Sequence, residues 1–443
     1  MPAPEQLARD LRARVAKAQS ERLPSVSAAV VRKGEVLWEG ALGLADVEAR
    51  TDATTDTQYR IGSITKTFTA AAIMQLRDEG RLELDDPLSK HVAEAAHGAP
   101  TIRRMLAHLS GLQREPVGEI WESLDPPDVD RLLADLREAE QVLPPGAAHH
   151  YSNLAYALLG EVVARIAGAP YTEVVDERII RPLGLTRTTW QPVEPFAQGY
   201  FVEPYEDVAR REAHVDLRGS ASAGQLWSTT GDLCAWATFL CQGRDGVLPR
   251  ESVEAMWAPQ VLWEPDDWVL AHGLGLMIAR RGDRILAGHG GGMPGHISGV
   301  YVSRKDEIGA AALTNSSVGV SMEQLALDLA ELAIDALPPE PEPWQPGEPA
   351  PDRLRSALGR WWSEGGEFVF YWRDGKLHAR LEPDPRGRPP AVFEPDGDDS
   401  FRTVAGRERG ERLRLVRDDS GQVVRMYWAT YPFTRAPEIF GAG

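Results

Sequence analysis

Apolar positions at helical spacing between Leu7 and Ala18 predict an opening helix. Two runs follow, Ser25 to Val31 and Glu35 to Leu42, and the Lys33-Gly34 turn between them predicts a hairpin. The segment that Ser63 opens is apolar nearly all round, through Ile64, Phe68, Ala71, Ala72, Ile73 and Leu76, and Gly80 supplies its stop. A helix without a polar face is a buried one, so Ser63 is expected at the end of a central helix. From there to Gly243 the pattern is mainly helical, and Leu154 to Ala167, closed by Gly168, is its clearest member. Later, Gly273 to Ala279 pairs with Arg284 to Ala287, and Gly299 to Ser303 with Ile308 to Thr314. The helix Met322 to Leu337 closes this body. Early strands, a helical middle, then late strands and a helix give an α+β arrangement, an antiparallel sheet flanked by helices.

The pattern changes after residue 337. A proline-rich stretch over 338–352 reads as a stiff, extended linker. Beyond it, over 353–443, short strands alternate with tight turns. Gly366 to Trp372, Asp374-Gly375 and Lys376 to Leu381 form one hairpin signature; Leu413 to Val416, Asp418 to Gly421 and Val423 to Trp428 repeat it. A small β-barrel or sandwich is expected there.

Composition narrows the function classes. The chain has 443 residues and a formal net charge of −18, which disfavours nucleic acid and anionic membrane surfaces as partners. Neither a signal-peptide core nor a transmembrane run is visible, so a cytoplasmic protein is expected. The two cysteines, Cys234 and Cys241, fall seven residues apart on one predicted helix, about 10 Å by helical rise, too far for a disulfide. No Cys/His set has metal-ligand spacing, and no cofactor is expected.

The candidate chemistry starts at Ser63-Ile64-Thr65-Lys66. Residues three apart on a helix are neighbours, so the lysine amine lies beside the serine hydroxyl. A hydroxyl needs a base to become a nucleophile, and a lysine shielded from water can be that base near neutral pH. Tyr151-Ser152-Asn153 precedes the helix at Leu154. A phenol with its pKa lowered by a nearby ammonium relays protons, and Asn153 offers both donor and acceptor to a substrate amide. Taken alone, the pair reads better as a packing aromatic and a helix N-cap. The run Gly288-His289-Gly290-Gly291-Gly292 follows a predicted strand, and its glycines let substrate approach backbone N–H groups. It lacks the Gly-Lys-Ser/Thr of a phosphate loop. His108, His149, His150, His296 and the Trp361-Trp362 pair read as structural or surface residues, and Trp227 as a core aromatic or a cleft wall.

Ser63-x-x-Lys66, Tyr151-x-Asn153 and His289-Gly290-Gly291 resemble the three motifs of the penicillin-recognising serine enzymes. That superfamily includes class C β-lactamases, DD-peptidases, D-aminopeptidases and related esterases. Tyr59 to Ser63, Met105 to Leu112, Pro144-Pro145-Gly146 and Gly224 to Thr229 are similar to its secondary signatures, so the resemblance spans residues 20 to 337. It implies an antiparallel sheet with helices on both faces, an all-helical subdomain, and a site between them. It implies Ser63 as the acyl-forming nucleophile, with Lys66 and Tyr151 sharing its proton; which of them is the base at each step stays open. The backbone N–H groups of Ser63 and Gly292 would form the oxyanion hole, and His289 would stand where many relatives carry lysine. Asn153, Gly290, Gly291 and Trp227 would contact substrate. Gly290 departs from the Thr or Ser whose hydroxyl helps hold a β-lactam carboxylate, which argues against strong β-lactamase activity.

Val423 to Arg435 resembles the end of the lipocalin-like domain of the penicillin-binding-protein-type thioesterases. Those cytoplasmic enzymes release nonribosomal peptides from a carrier protein by head-to-tail cyclisation. The resemblance implies a linear peptidyl thioester on a nonribosomal peptide synthetase carrier as partner, and Arg435 as a peptide-binding residue. A hydrolase with the same acyl-enzyme (an esterase, D-aminopeptidase, DD-peptidase or weak β-lactamase) is the alternative. A non-catalytic, permanently acylated sensor is a third, and the intact set of proton-relay residues argues against it.

Overall fold

The computed structural model describes residues 3–95, 99–338 and 343–438. The chain divides into two compact units, Met1–Pro339 and Glu340–Gly443. Of the expected linker, residues 339–342 lie outside the described residues.

The first unit is built on a nine-stranded antiparallel sheet. Its strands are β1 (Ser25–Arg32), β2 (Glu35–Asp46), β3 (Thr51–Asp52), β4 (Val261–Leu262), β5 (Leu270–His272), β6 (Met277–Arg281), β7 (Arg284–Met293), β8 (His296–Ser303) and β9 (Ile308–Thr314). They lie side by side in the order β3-β2-β1-β9-β8-β7-β6-β5-β4. The early hairpin joins the late strands through β1 and β9, from Val26 opposite Thr314 to Arg32 opposite Ile308. Because β1 is covered on both faces, it is buried from Ser25 to Val31, and from Ala28 to Val31 it is a continuous apolar run. Val26, Ala28 and Val30 join one core; Ala29 and Val31 join the other.

Five helices matter for the site: α1 (Glu5–Ser20), α2 (Thr65–Asp78), α3 (Asn153–Ala167), α4 (Thr230–Gln242) and α5 (Met322–Ala336). Helices α1 and α5 cover the first core, whereas α2, α3 and α4 build the second. Phe68 of α2 stacks on Trp236 of α4 with ring centroids 3.7 Å apart, and Trp236 Nε1 donates to Thr67 Oγ1 at 2.8 Å. The all-apolar helix is thus the buried spine of the unit. Both cysteines are buried free thiols. No helix among the described residues is long and apolar enough to cross a membrane.

Three local expectations are corrected. Ser63 lies in a 3₁₀ turn, Gly62–Ile64, and α2 starts only at Thr65, whose hydroxyl donates to Gly62 O at 2.7 Å. Of the predicted strand over 273–279 only the part from Met277 onward is strand; 273–276 is the turn between β5 and β6, in which Gly275 takes φ +77°. The glycine run does not follow a strand but belongs to one: Gly288 to Gly292 pair with Tyr301 to Ile297. Close neighbours force this composition. A Cβ at Gly288 would lie 1.8 Å from Val300 O, and one at Gly291 would lie 2.0 Å from Ile61 O.

The second unit is an antiparallel meander of eight strands between Gly359 and Phe433, paired in sequence order. Trp362 and Thr434 exchange backbone hydrogen bonds of 2.9 and 3.1 Å, which brings the two ends of the sheet together into a nearly closed, lipocalin-like barrel. Phe368, Phe370, Phe393, Phe401, Trp361 and Trp428 fill it.

Gly275 holds the site's spine in place, since a Cβ there would sit 2.3 Å from Ala70 Cβ and 3.5 Å from Lys66 O. Gly275→Ala is expected to cost about 1–3 kcal/mol in urea unfolding, from positive-φ strain and overpacking. An unchanged midpoint would show that α2 does not depend on this turn.

Candidate active site

The nucleophile is presented by the 3₁₀ turn, and Gly62 lets that turn meet strand β7. With φ +51°, Gly62 packs on the backbone of Gly292; a Cβ there would be 2.9 Å from Gly292 N. The amides of Ser63 and Gly292, the expected oxyanion hole, thus belong to two touching pieces of backbone. On its β6 side, β7 is paired only as far as Gly288, which faces Met277. From His289 onward that edge is open and lines a cavity of about 620 Å³.

Lys66 Nζ lies 3.0 Å from Ser63 Oγ and donates to Ala223 O at 2.6 Å. It is fully buried, and burial lowers its pKa to about 7; Glu115 pulls the value up and Arg114 down. Tyr151 also bonds the Ser63 hydroxyl, but its pKa is raised, not lowered as expected. Burial of the phenol outweighs that bond and the charge of Arg114, and Glu323 and Glu115 raise it further. Of the two, Lys66 has the proton affinity suited to taking Ser63's proton near neutrality; Tyr151 Oη is placed to pass one on.

Ser152 is the N-cap of α3: its Oγ accepts from Ala155 N at 3.0 Å. Asn153 is therefore the first helical residue instead of the cap, and its amide donates to Glu115 Oε1 at 2.7 Å inside the cavity. His108 stacks on Tyr151 at 4.1 Å, and its Nδ1 accepts from Ser152 N at 3.1 Å. His289 Nδ1 is 2.5 Å from Gly290 O, and burial, then the charge of Lys66, pushes its pKa down to about 3. His289 is thus a neutral imidazole and does not replace the charge of a lysine.

The fold also gathers His108, His272 and His289, whose spacing in sequence gave no hint of a cluster. Their ring nitrogens lie within 4.8 Å of one another, and all three are buried with lowered pKa values. Tetrahedral zinc, with bonds of 2.0–2.1 Å, needs nitrogens about 3.3 Å apart, so a metal would require this trio to close.

The cavity wall contains Ser63, Tyr151, Asn153 and His289 to Gly292, as expected, together with Arg114, Glu115, Trp121, Trp263 and Glu323, which the sequence did not single out. Trp227 is not in the wall; it is 1% exposed, packed against Phe196, His214 and His296. Arg435 belongs to the barrel unit. Its guanidinium lies 3.7 Å over the Trp361 ring, and Nη1 donates to Leu358 O and Arg360 O at 3.1 and 3.0 Å. Nη2 also donates to Ser356 O.

A serine and a tyrosine that line the cavity, a lysine buried behind them and two backbone amides beside them make an arrangement suited to a serine acyl-enzyme. The chain belongs to the Beta-lactamase family, whose profile matches residues 7–334. Residues 350–435 match a domain of unknown function, DUF7586. Among solved structures, a D-stereospecific amidohydrolase from Streptomyces sp. is 28% identical, over 73% of this chain and 98% of that one, with a TM-score of 0.64. The octameric penicillin-binding protein homologue from Pyrococcus abyssi is 25% identical, over 96% and 99%, with a TM-score of 0.66. SurE is 25% identical, over 97% and 99%, with a TM-score of 0.62. The chain spans about half to three fifths of the length of the curated relatives it matches first.

The site makes a pH prediction. If Lys66 is the base that takes Ser63's proton, it must be neutral to act, so the acylation rate is expected to rise with pH along a limb centred at about 7. Pre-steady-state acylation by an uncharged ester that is flat between about pH 5.5 and 8.5 would exclude Lys66 as the base.

Proposed function

We propose that this protein is a stand-alone thioesterase that releases a nonribosomal peptide from its carrier by macrolactamisation. Ser63 Oγ attacks the thioester carbonyl, its proton moves to Lys66, and the Ser63 and Gly292 amides hold the oxyanion. The carrier thiol leaves with a proton, and an ester to Ser63 remains. The peptide's own amine then attacks this ester; an amide bond forms, and the proton shed by the amine returns to Ser63 Oγ by way of Lys66 and Tyr151.

The observation carrying this reading is the match to SurE through both units, barrel included, on a chain whose last strands resemble the penicillin-binding-protein-type thioesterases. The open edge of β7 supports it, because a peptide in extended form can pair with that edge. Hydrolysis of a D-configured amide or ester is the second reading, favoured by the 28% identity to the amidohydrolase. Both share the acyl-enzyme and differ in the acceptor.

Purified protein is expected to convert peptidyl thioester mimics ending in a D-residue into macrocycles, and Ser63→Ala to abolish turnover with little change in melting. Linear acid alone, across several such peptides, would overturn the cyclase reading. Arg435 keeps two N–H donors free among the described residues, enough to grip a peptide carbonyl or carboxylate. Arg435→Ala is expected to lower transfer by tenfold or so while destabilising the barrel by no more than about 1.5–3 kcal/mol. Transfer that falls only in step with thermal stability would assign Arg435 to holding the barrel together.

A further inference from the structure

Among the residues of the cavity wall with no role so far is Glu323, the second residue of α5. It enters the site from the α5 face of the sheet, opposite the face on which α2 and Ser63 lie. Two glycines make room for it. A Cβ at Gly290 would lie 2.0 Å from Glu323 Cδ and 2.1 Å from Oε1, and one at Gly299, directly across the ladder, would lie 2.6 Å from Glu323 Cα. Neither glycine has a positive φ. The helix end and its carboxyl, not backbone conformation, therefore demand glycine at both positions.

Glu323 also differs electrically from its neighbours. Glu115, across the cavity, lies 3.7 Å from Arg114 Nε and accepts from Asn153. Glu323 accepts from Tyr301 Oη at 2.9 Å, and no lysine or arginine pairs with it among the described residues. A half-buried carboxylate without a cation is unfavourable, and a cationic group of a ligand would relieve it. A second carboxylate placed there would meet like charge at short range in a partly water-excluded wall.

We propose that Glu323 sets the charge selectivity of the acyl-transfer site: it excludes acceptors and leaving groups that carry a carboxylate next to the reacting bond. This rests on the serine acyl-enzyme chemistry proposed above and adds a substrate class to it. Gly290 is then part of the same device, because any side chain there would displace the carboxyl.

The experiment compares matched pairs of uncharged and carboxylate-bearing reactants. In one arm, an acyl-enzyme formed from an uncharged thioester partitions to glycinamide or to glycine, with rates corrected for free amine. In the other, depsipeptide esters are hydrolysed whose leaving hydroxy acid is either amidated or free. The wild-type protein is expected to favour the uncharged member by at least about tenfold in each arm. Glu323→Gln is expected to shrink the ratio to about threefold or less, and Glu323→Asp to restore most of it. The double change Glu323→Ala with Gly290→Ser puts a hydroxyl where the carboxyl was, and is expected to invert the ratio. It also serves as the second test if Glu323→Gln does not fold. Ratios in the wild type near one, or ratios unmoved by folded variants, would overturn the proposal. A wild-type protein that hydrolyses with the expected ratio yet transfers to no amine would overturn macrolactamisation alone and leave the role of Glu323 standing.

Discussion

The burial of Lys66 is the constraint on which the rest of the site depends. An amine in water keeps its proton at neutral pH and cannot accept another. Here the amine sits at the base of a helix with no polar face, held by one carbonyl and facing one hydroxyl. Water exclusion brings its pKa to about 7, where loss of a proton costs little. Everything that keeps water out therefore contributes to catalysis: the Phe68–Trp236 stack, the turn at Gly275 pressed on Ala70, and the layer of neutral histidines behind Tyr151. The same dryness pushes Tyr151 the other way, so one environment gives the two groups different work.

The second constraint is steric. Strand β7 must pass close to the serine turn on one face and to the end of α5 on the other, and only a chain without side chains fits between them. Gly291 faces Ile61 O, Gly290 faces Glu323, and Gly62 faces Gly292. A glycine-rich segment in a strand is ordinarily a weak one. Pairing with β8 along its whole length holds this one in register, while the other edge stays open for a ligand.

Much of this was legible in the chain, and what was not has a physical cause. The Ser63–Lys66 contact is local, set by helical geometry, so spacing alone revealed it. The proline-rich stretch and the short strands with tight turns beyond it mark a boundary in the sequence close to where the two compact units divide. Glu323 was not legible: an acid in the first turn of a helix is what helix electrostatics favour anyway, and only the tertiary fold brings it to Gly290. The histidine cluster was invisible for the same reason, since its members come from separate elements. The sequence leaves Trp227 open between core and cleft, because a large aromatic beside a motif fits both; Trp121 and Trp263, far from any motif, contribute to the wall. Tyr151 was misread because proximity to an amine was weighed without the burial that both groups share.

The unpaired margin of β7 carries one more implication. A ligand held by main-chain amides and carbonyls is identified by its extended shape and handedness, and its side chains go largely unread. A catalyst built that way tolerates sequence variation along its substrate and concentrates discrimination at the few points where the wall is charged. Evolution of a new product would then require changes at those points alone, with the catalytic core left as it stands.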